Sequence, residues 1–178
     1  MIKIRNGTFE TNSSSTHSIA IPKKKMGNYP CSVYFGYGEF GWEFAEESPA
    51  DYLYTAILCY YDEGERKERL DRLKSILENH NIKYHFADPF TDRDYYIDHT
   101  EDLGEFLDKV FKDDDTLLTF IFSGMVFTGN DNCESDQSGY IYRFEKTYED
   151  WSSNGVNERE NPYYKEEYEN YDWVVKGN

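Results

Sequence analysis

Seventeen tyrosines, twelve phenylalanines and three tryptophans stand in a chain of 178 residues whose hydrophobic fraction is only 38%. That pairing limits the fold more than any other feature. A highly charged chain without large apolar groups stays disordered, because it cannot bury enough surface to offset its conformational entropy. Here the aromatic side chains supply that surface, each burying roughly 150–250 Å². The sequence therefore specifies a folded, tyrosine-rich domain with a small aliphatic core. The length is that of one sizeable domain. No linker or internal repeat divides it, so residues 1–178 are read as a single α+β domain.

The chain carries 35 acidic and 19 basic residues, a formal net charge of −16. This field argues against a nucleic-acid binder that neutralises phosphates and against a binder of anionic membranes. It favours a basic protein partner, a cationic ligand or plain solubility. The charge is uneven. Residues 1–30 hold five basic residues against one acidic, net +4, and residues 31–178 hold 14 against 34, net −20. The basic N-terminal segment either lies over the acidic remainder or forms a separate binding edge. Cysteines 31, 59 and 133 are odd in number and far apart, and histidines 17, 80, 85 and 99 are scattered. No zinc site or disulfide framework is expected, and a reducing cytoplasm fits best. The first residues hold no apolar leader segment, and no run has the length of a membrane span.

Ser48-Pro49-Ala50-Asp51 is the clearest helix start: serine caps, proline takes the first turn, and aspartate meets the positive end of the dipole. Apolar spacing then predicts helices near 49–61, 65–79 and 101–112. Gly64 separates the first two, and Arg66, Lys67, Arg69, Arg72 and Lys74 decorate the second. Strands are predicted over 2–5, 8–10, 17–21, 31–35, 82–86, 95–97, 140–144 and 172–175. Residues 116–123 are apolar on both faces, which predicts the central strand. Asp113 to Asp115 is read as the end of the third helix and 129–138 as a polar loop. The fold class is α+β, with a mostly antiparallel sheet and about three helices.

One local sequence stands apart. From Arg5 to Ser18 the chain reads Arg-Asn-Gly-Thr-Phe-Glu-Thr-Asn-Ser-Ser-Ser-Thr-His-Ser. Small hydroxyls, an amide, an acid and an imidazole offer many donors and little bulk, which suits cradling a phosphate, a carboxylate or a sugar hydroxyl. The ligand-binding candidates are Arg5, Glu10, Asn12, Ser13, Ser14, Ser15 and His17, with Glu10, Asn12 and His17 expected to face one polar pocket. The bland alternative is a turn whose side chains bond their own backbone. The motif resembles the opening of many uncharacterised proteins of phages and Gram-positive bacteria, over about the first twenty residues. The resemblance implies a mobile-element context and a role for the loop beyond making a turn. It implies no reaction, and no catalytic residue is assigned.

Carboxylates at Asp88, Asp92, Asp94, Asp98, Glu101 and Asp102, and the loop Asn130 to Asp136, have the ligand types of a hard-cation site but not the spacing of a calcium loop. Glu158-Arg159-Glu160 matches a three-residue transferase pattern by chance, and no glycine-rich phosphate motif is present. No metal or other cofactor is expected. The C-terminal run holds Tyr163, Tyr164, Glu166, Glu167, Tyr168, Glu169, Tyr171, Asp172 and Trp173. Aromatics interleaved with acids complement an Arg/Lys-rich cleft, whereas single-strand binders interleave them with bases.

Two readings follow. The favoured one is an acidic, phage-type accessory protein, not an enzyme, that binds and inhibits a basic host protein. A nucleic-acid-targeting defence complex, such as a nuclease or CRISPR-type effector, offers the positive channel required. The other is a small enzyme or ligand-binding protein with its site in the Glu10–His17 loop.

Overall fold

A computed structural model describes residues 15–42, 45–60, 62–89, 95–98, 103–130 and 171–176. Its elements run β1 (Ser15–Pro22), β2 (Ser32–Phe35), β3 (Glu39–Phe40), β4 (Ala45–Glu47), α1 (Pro49–Cys59) and α2 (Glu63–Asn79). They continue with β5 (Lys83–Phe86), β6 (Tyr96–Ile97), α3 (Leu103–Val110), α4 (Asp114–Ser123), β7 (Met125–Asn130) and β8 (Tyr171–Lys176). The class is α+β, as the sequence indicates. The largest sheet is antiparallel throughout, in the order β4-β7-β1-β8, and two parallel strand pairs, β2–β5 and β3–β6, accompany it. The strands expected over 2–5, 8–10 and 140–144 lie outside the described residues.

α1 is placed by its own first turn. The Ser48 side chain accepts the Asp51 N–H, Pro49 opens the helix, and Tyr52 through Ile57 are buried without interruption. A helix buried on every side must be central. α1 accordingly touches α2, α3, α4, β2, β6 and β7. Two of its polar groups serve the neighbouring chain. Gly36 N–H donates to Asp51 Oδ1 at 2.6 Å, and Gly38 N–H to Thr55 Oγ1 at 3.2 Å. Asp51 and Thr55 are one turn apart, so they pin the β2–β3 connection along a single helix face. A Cβ at Gly36 would lie 3.1 Å from the Asp51 carboxyl, which fixes glycine there.

The run 116–123 corrects the sequence reading: it is helix, not strand. Asp113 does not end α3. It caps α4, taking the Thr116 N–H at 2.7 Å, while Asp114 and Asp115 occupy the first turn. The run is apolar on both faces because α4, like α1, is buried, with Thr116 through Ile121 inside. Periodicity alone does not separate a buried strand from a buried helix. The strand follows at once as β7. At the junction, a Cβ on Gly124 would fall 2.5 Å from the Phe120 carbonyl oxygen, so only glycine closes the helix this tightly. The inner strands of the sheet are therefore β1 and β7, and the described residues hold four helices where three were expected. Gly129 and Asn130, expected in a loop, belong to β7, and Ser15 and Thr16, expected in a polar run, belong to β1.

α2 begins at Glu63, capped by Asp62, so Gly64 sits in its first turn instead of separating two helices. It buries only Leu73, Ile76 and Leu77. Its remaining flanks carry charge. Among the described residues, no helix is long and apolar enough to cross a membrane.

Burial raises the Asp51 carboxyl above its ordinary pKa, against the lowering effect of the bonds from Gly36 and Ser48. A carboxyl with a raised folded-state pKa favours the fold most when protonated, and that contribution is lost as pH rises through the folded pKa. Asp51→Asn keeps the acceptor and removes the charge. It should leave stability at neutral pH unchanged or higher, whereas Asp51→Ala strands the Gly36 N–H and should lower it by about 1–3 kcal/mol. Urea unfolding at neutral pH checks both.

Candidate functional site

A solvent-open groove of about 360 Å³ is lined by the charged flank of α2 and, from α3, by Asp108. Tyr60, at the end of α1, and Phe111, just past α3, supply its aromatic wall. Along α2 the lining residues are Glu65, Glu68, Arg69 and Arg72, which fall on one stripe at three- and four-residue spacing.

Arg69 organises this groove. Only 16% of its side chain is exposed. Its Nη2 donates to Asp108 Oδ1 at 2.8 Å, and its guanidinium stands 5.5 Å from the Tyr60 ring centre and 5.7 Å from that of Phe111. Arg72, one turn on, also places its guanidinium 5.7 Å from Phe111. Both arginines have a glutamate four residues earlier, the spacing and polarity that favour a helix-surface ion pair, yet neither pair forms. Magnitudes explain the choice. Such a pair is worth roughly 0.2–0.5 kcal/mol, whereas a cation over a ring is worth about 0.5–1 kcal/mol exposed and about 2 when desolvated. The rings win. Glu65 and Glu68 are left without an ion-pair or side-chain hydrogen-bond partner among the described residues, and Arg72 without a carboxylate.

A second polar cluster surrounds the start of α4. Lys25 donates to Thr116 Oγ1 at 3.1 Å, and Tyr29 donates to Asp115 Oδ1 at 3.3 Å. Hydrogen bonding from the Thr116 side chain and N–H, with Lys25 and Lys112 nearby, holds Asp113 below the usual carboxylate range. Burial, helped by Asp115 and Asp113, pushes the Tyr29 hydroxyl up against the opposing influence of Thr119. His80 Nε2 stands 3.9 Å from Asp114. Lys25, from the basic first thirty residues, thus reaches the acidic start of α4.

Of the polar-loop candidates, Arg5, Glu10, Asn12, Ser13 and Ser14 lie outside the described residues, so their convergence with His17 is not on view. Ser15 and His17 are on β1, in register with Asn130 and Thr128 of β7. Thr128 is buried and donates to Glu47 Oε1 at 3.5 Å, and Ala45 holds the same row on β4. Of the C-terminal candidates, residues 163–170 lie outside, while Tyr171, Asp172 and Trp173 are on β8, with Tyr171 opposite Pro22 and Trp173 opposite Ile21. β1 therefore carries part of each candidate region, His17 and the Trp173 register being four residues apart, roughly 14 Å along the strand.

Of the proposed cation ligands, only Asp88, Asp98 and Asn130 are described, and among the described residues no three potential ligands are grouped to hold a metal. Burial pushes the Cys59 thiol up, against the lowering effects of Ile97 and Arg66, which is the environment of an unreactive thiol. The groove was missed in the sequence because its parts come from three segments. The available signal was the set of arginines on α2 with an aromatic, Phe111, closing α3.

Comparison of the chain with protein-family models, curated proteins and solved structures finds no match.

The stacking account makes a test. Arg69→Ala should lower stability by about 1–2 kcal/mol, through the loss of two ring contacts and packed stem. Asp108→Ala, at an acid whose side chain is 75% exposed, should change it by under about 0.5 kcal/mol. Equal effects in chemical denaturation would assign the ion pair, not the rings, the larger part.

Proposed function

We propose that this chain acts as an acidic protein-binding module, directed at a partner with an Arg/Lys-rich cleft. The observation that carries the reading is where the charge resides. With a net −16 overall, none of the carboxylates described between residues 39 and 115 is fully buried, and most are exposed, with Glu47, Asp51 and Asp98 half-buried. Many of these acids cap helices, bond neighbouring side chains or form ion pairs, yet 19 bases cannot neutralise 35 acids, and the excess charge projects a long-range field, the property that steers association.

A nucleic-acid channel is the cleft that such a field complements best. The mobile-element context implied by the N-terminal motif makes a host defence nuclease or CRISPR-type effector the partner of choice, with inhibition by occupation of the channel in the host cytoplasm. The C-terminal Tyr/acid run from Tyr163 to Trp173 supplies the anchors. In support, the run ends on β8, which is an edge strand of the sheet among the described residues. A second reading keeps the polar loop as a ligand site. It is favoured by the register of His17 with Thr128, whose hydroxyl donates to Glu47, since this adds a carboxylate and a hydroxyl to the strand that leaves the loop.

The test is kinetic, on the partner recovered from a host lysate at low salt. Screening shortens from about 10 Å at 0.1 M salt to about 3 Å at 1 M, so association should slow steeply over that range. Reversing Glu166, Glu167 and Glu169 to lysine should slow it at low salt and make little difference at high salt. Replacing Tyr168 or Trp173 by alanine should instead speed dissociation, by about 1–4 kcal/mol for an anchor. A salt-independent association rate overturns the proposal. Loss of binding in His17→Ala with unchanged stability and an unchanged salt slope would move the site to the polar loop.

A further inference from the structure

The groove between α2 and α3 is bipolar. Its lining charges run in order along α2: Glu65 and Glu68 first, Arg69 and Arg72 after. The midpoints of the two pairs are four residues apart, a rise of roughly 6 Å. The positive pole is fixed, because both guanidiniums are held at Phe111. The negative pole is open, because the two glutamates have no partner among the described residues and lie on one helix face with Cβ atoms about 5–6 Å apart. Tyr60 and the buried Phe111 line the groove at its positive pole, beside the two guanidiniums. The volume of about 360 Å³ is that of a small-ligand site.

Neither a simple anion nor a simple cation satisfies this arrangement. An anion at Arg72 meets Glu68 and the field of an acidic chain, and a cation at Glu68 meets two guanidiniums. A molecule carrying both charges, separated by a short spacer that spans the rise between the pairs, satisfies each pole. We infer that the groove binds an ω-amino acid-like group, an ammonium between Glu65 and Glu68 joined through a few methylenes to a carboxylate on Arg72. A free ω-amino acid has this chemistry, and so does a lysine at the carboxyl end of a polypeptide. Arg69, already bonded to Asp108, acts as the positioning residue that keeps the rings and Arg72 in place. The inference goes beyond the acidic-surface reading and is separable from it: loss of ligand binding here leaves the salt dependence of partner association unchanged.

Isothermal titration of the full chain tests it, with ε-aminocaproate as the zwitterion, caproate as the carboxylate alone and pentylamine as the ammonium alone. ε-Aminocaproate should bind at least tenfold more tightly than either half, a difference of about 1.4 kcal/mol. Arg72→Gln and Glu68→Gln, both at exposed positions, should each abolish that advantage, Glu68→Gln with thermal unfolding unchanged and Arg72→Gln with no more than the loss of its one ring contact. A short peptide ending in lysine, compared with its carboxyl-terminal amide, separates the two sources. Binding of the free-acid peptide alone assigns a chain terminus, and binding of ε-aminocaproate without either peptide assigns a small molecule. If pentylamine or caproate binds as well as the zwitterion, or if none of the three saturates at millimolar concentration, the inference is overturned.

Discussion

The packing of α1 against α4 is the contact on which the remaining structure depends. Each helix is buried on all sides for six consecutive residues, Tyr52 to Ile57 and Thr116 to Ile121. Neither could exist alone in water, since an amphipathic face is what usually stabilises a short helix. A chain of rings ties them to their surroundings. Phe40 meets Tyr52 at 5.4 Å, Tyr52 meets Phe106 at 5.4 Å edge-on, and Phe106 meets Phe120 at 5.4 Å edge-on. β3, α1, α3 and α4 are thereby joined through aromatic contacts that add about 0.5–1.5 kcal/mol each beyond burial. Isoleucine, leucine and valine fill most of the described core, and these rings link its elements.

The same core decides where charge goes. With α1 and α4 taking the interior, α2 is left half-buried, held by Leu73, Ile76 and Leu77, and its flank toward α3 is free to carry ions. Arginines on that flank find aromatic edges of the core within reach and settle on them. The groove is thus a by-product of an aromatic-rich interior meeting a charged helix. Its glutamates are unpaired because the rings outcompete them. Surface acidity elsewhere follows from the same exclusion, the fully buried polar groups among the described residues being threonine and tyrosine hydroxyls.

Features set by adjacent residues were legible in the sequence. Ser48-Pro49-Ala50-Asp51 announces α1 because cap, proline and acidic first turn are local chemistry, and α2 follows from Leu70, Leu73, Ile76 and Leu77 at helical spacing. α4 was not legible as a helix. Its Thr-Leu-Leu-Thr-Phe-Ile-Phe run has the β-branched and aromatic character of a strand, and burial on all faces removes the periodicity that would have distinguished it. Asp113 was read as a stop when it is a cap, since the same residue type serves both roles. The groove depends on Tyr60, Arg69 and Phe111 meeting across separate segments, which no local pattern encodes. His17 and Trp173 were singled out correctly as belonging to ordered strands, but only the register places them apart along β1.

Native-state amide hydrogen exchange, read residue by residue, tests the central place of the α1–α4 contact most directly. Amides in the buried core of a domain exchange only through its global opening. The amides of residues 53–57 and 118–121 should therefore share one opening free energy, equal to that of global unfolding, and respond together to added denaturant. Opening of α4 at a distinctly lower free energy, while α1 stays protected, would contradict the account: α1 would then hold its place without the partner on which the fold is argued to rest.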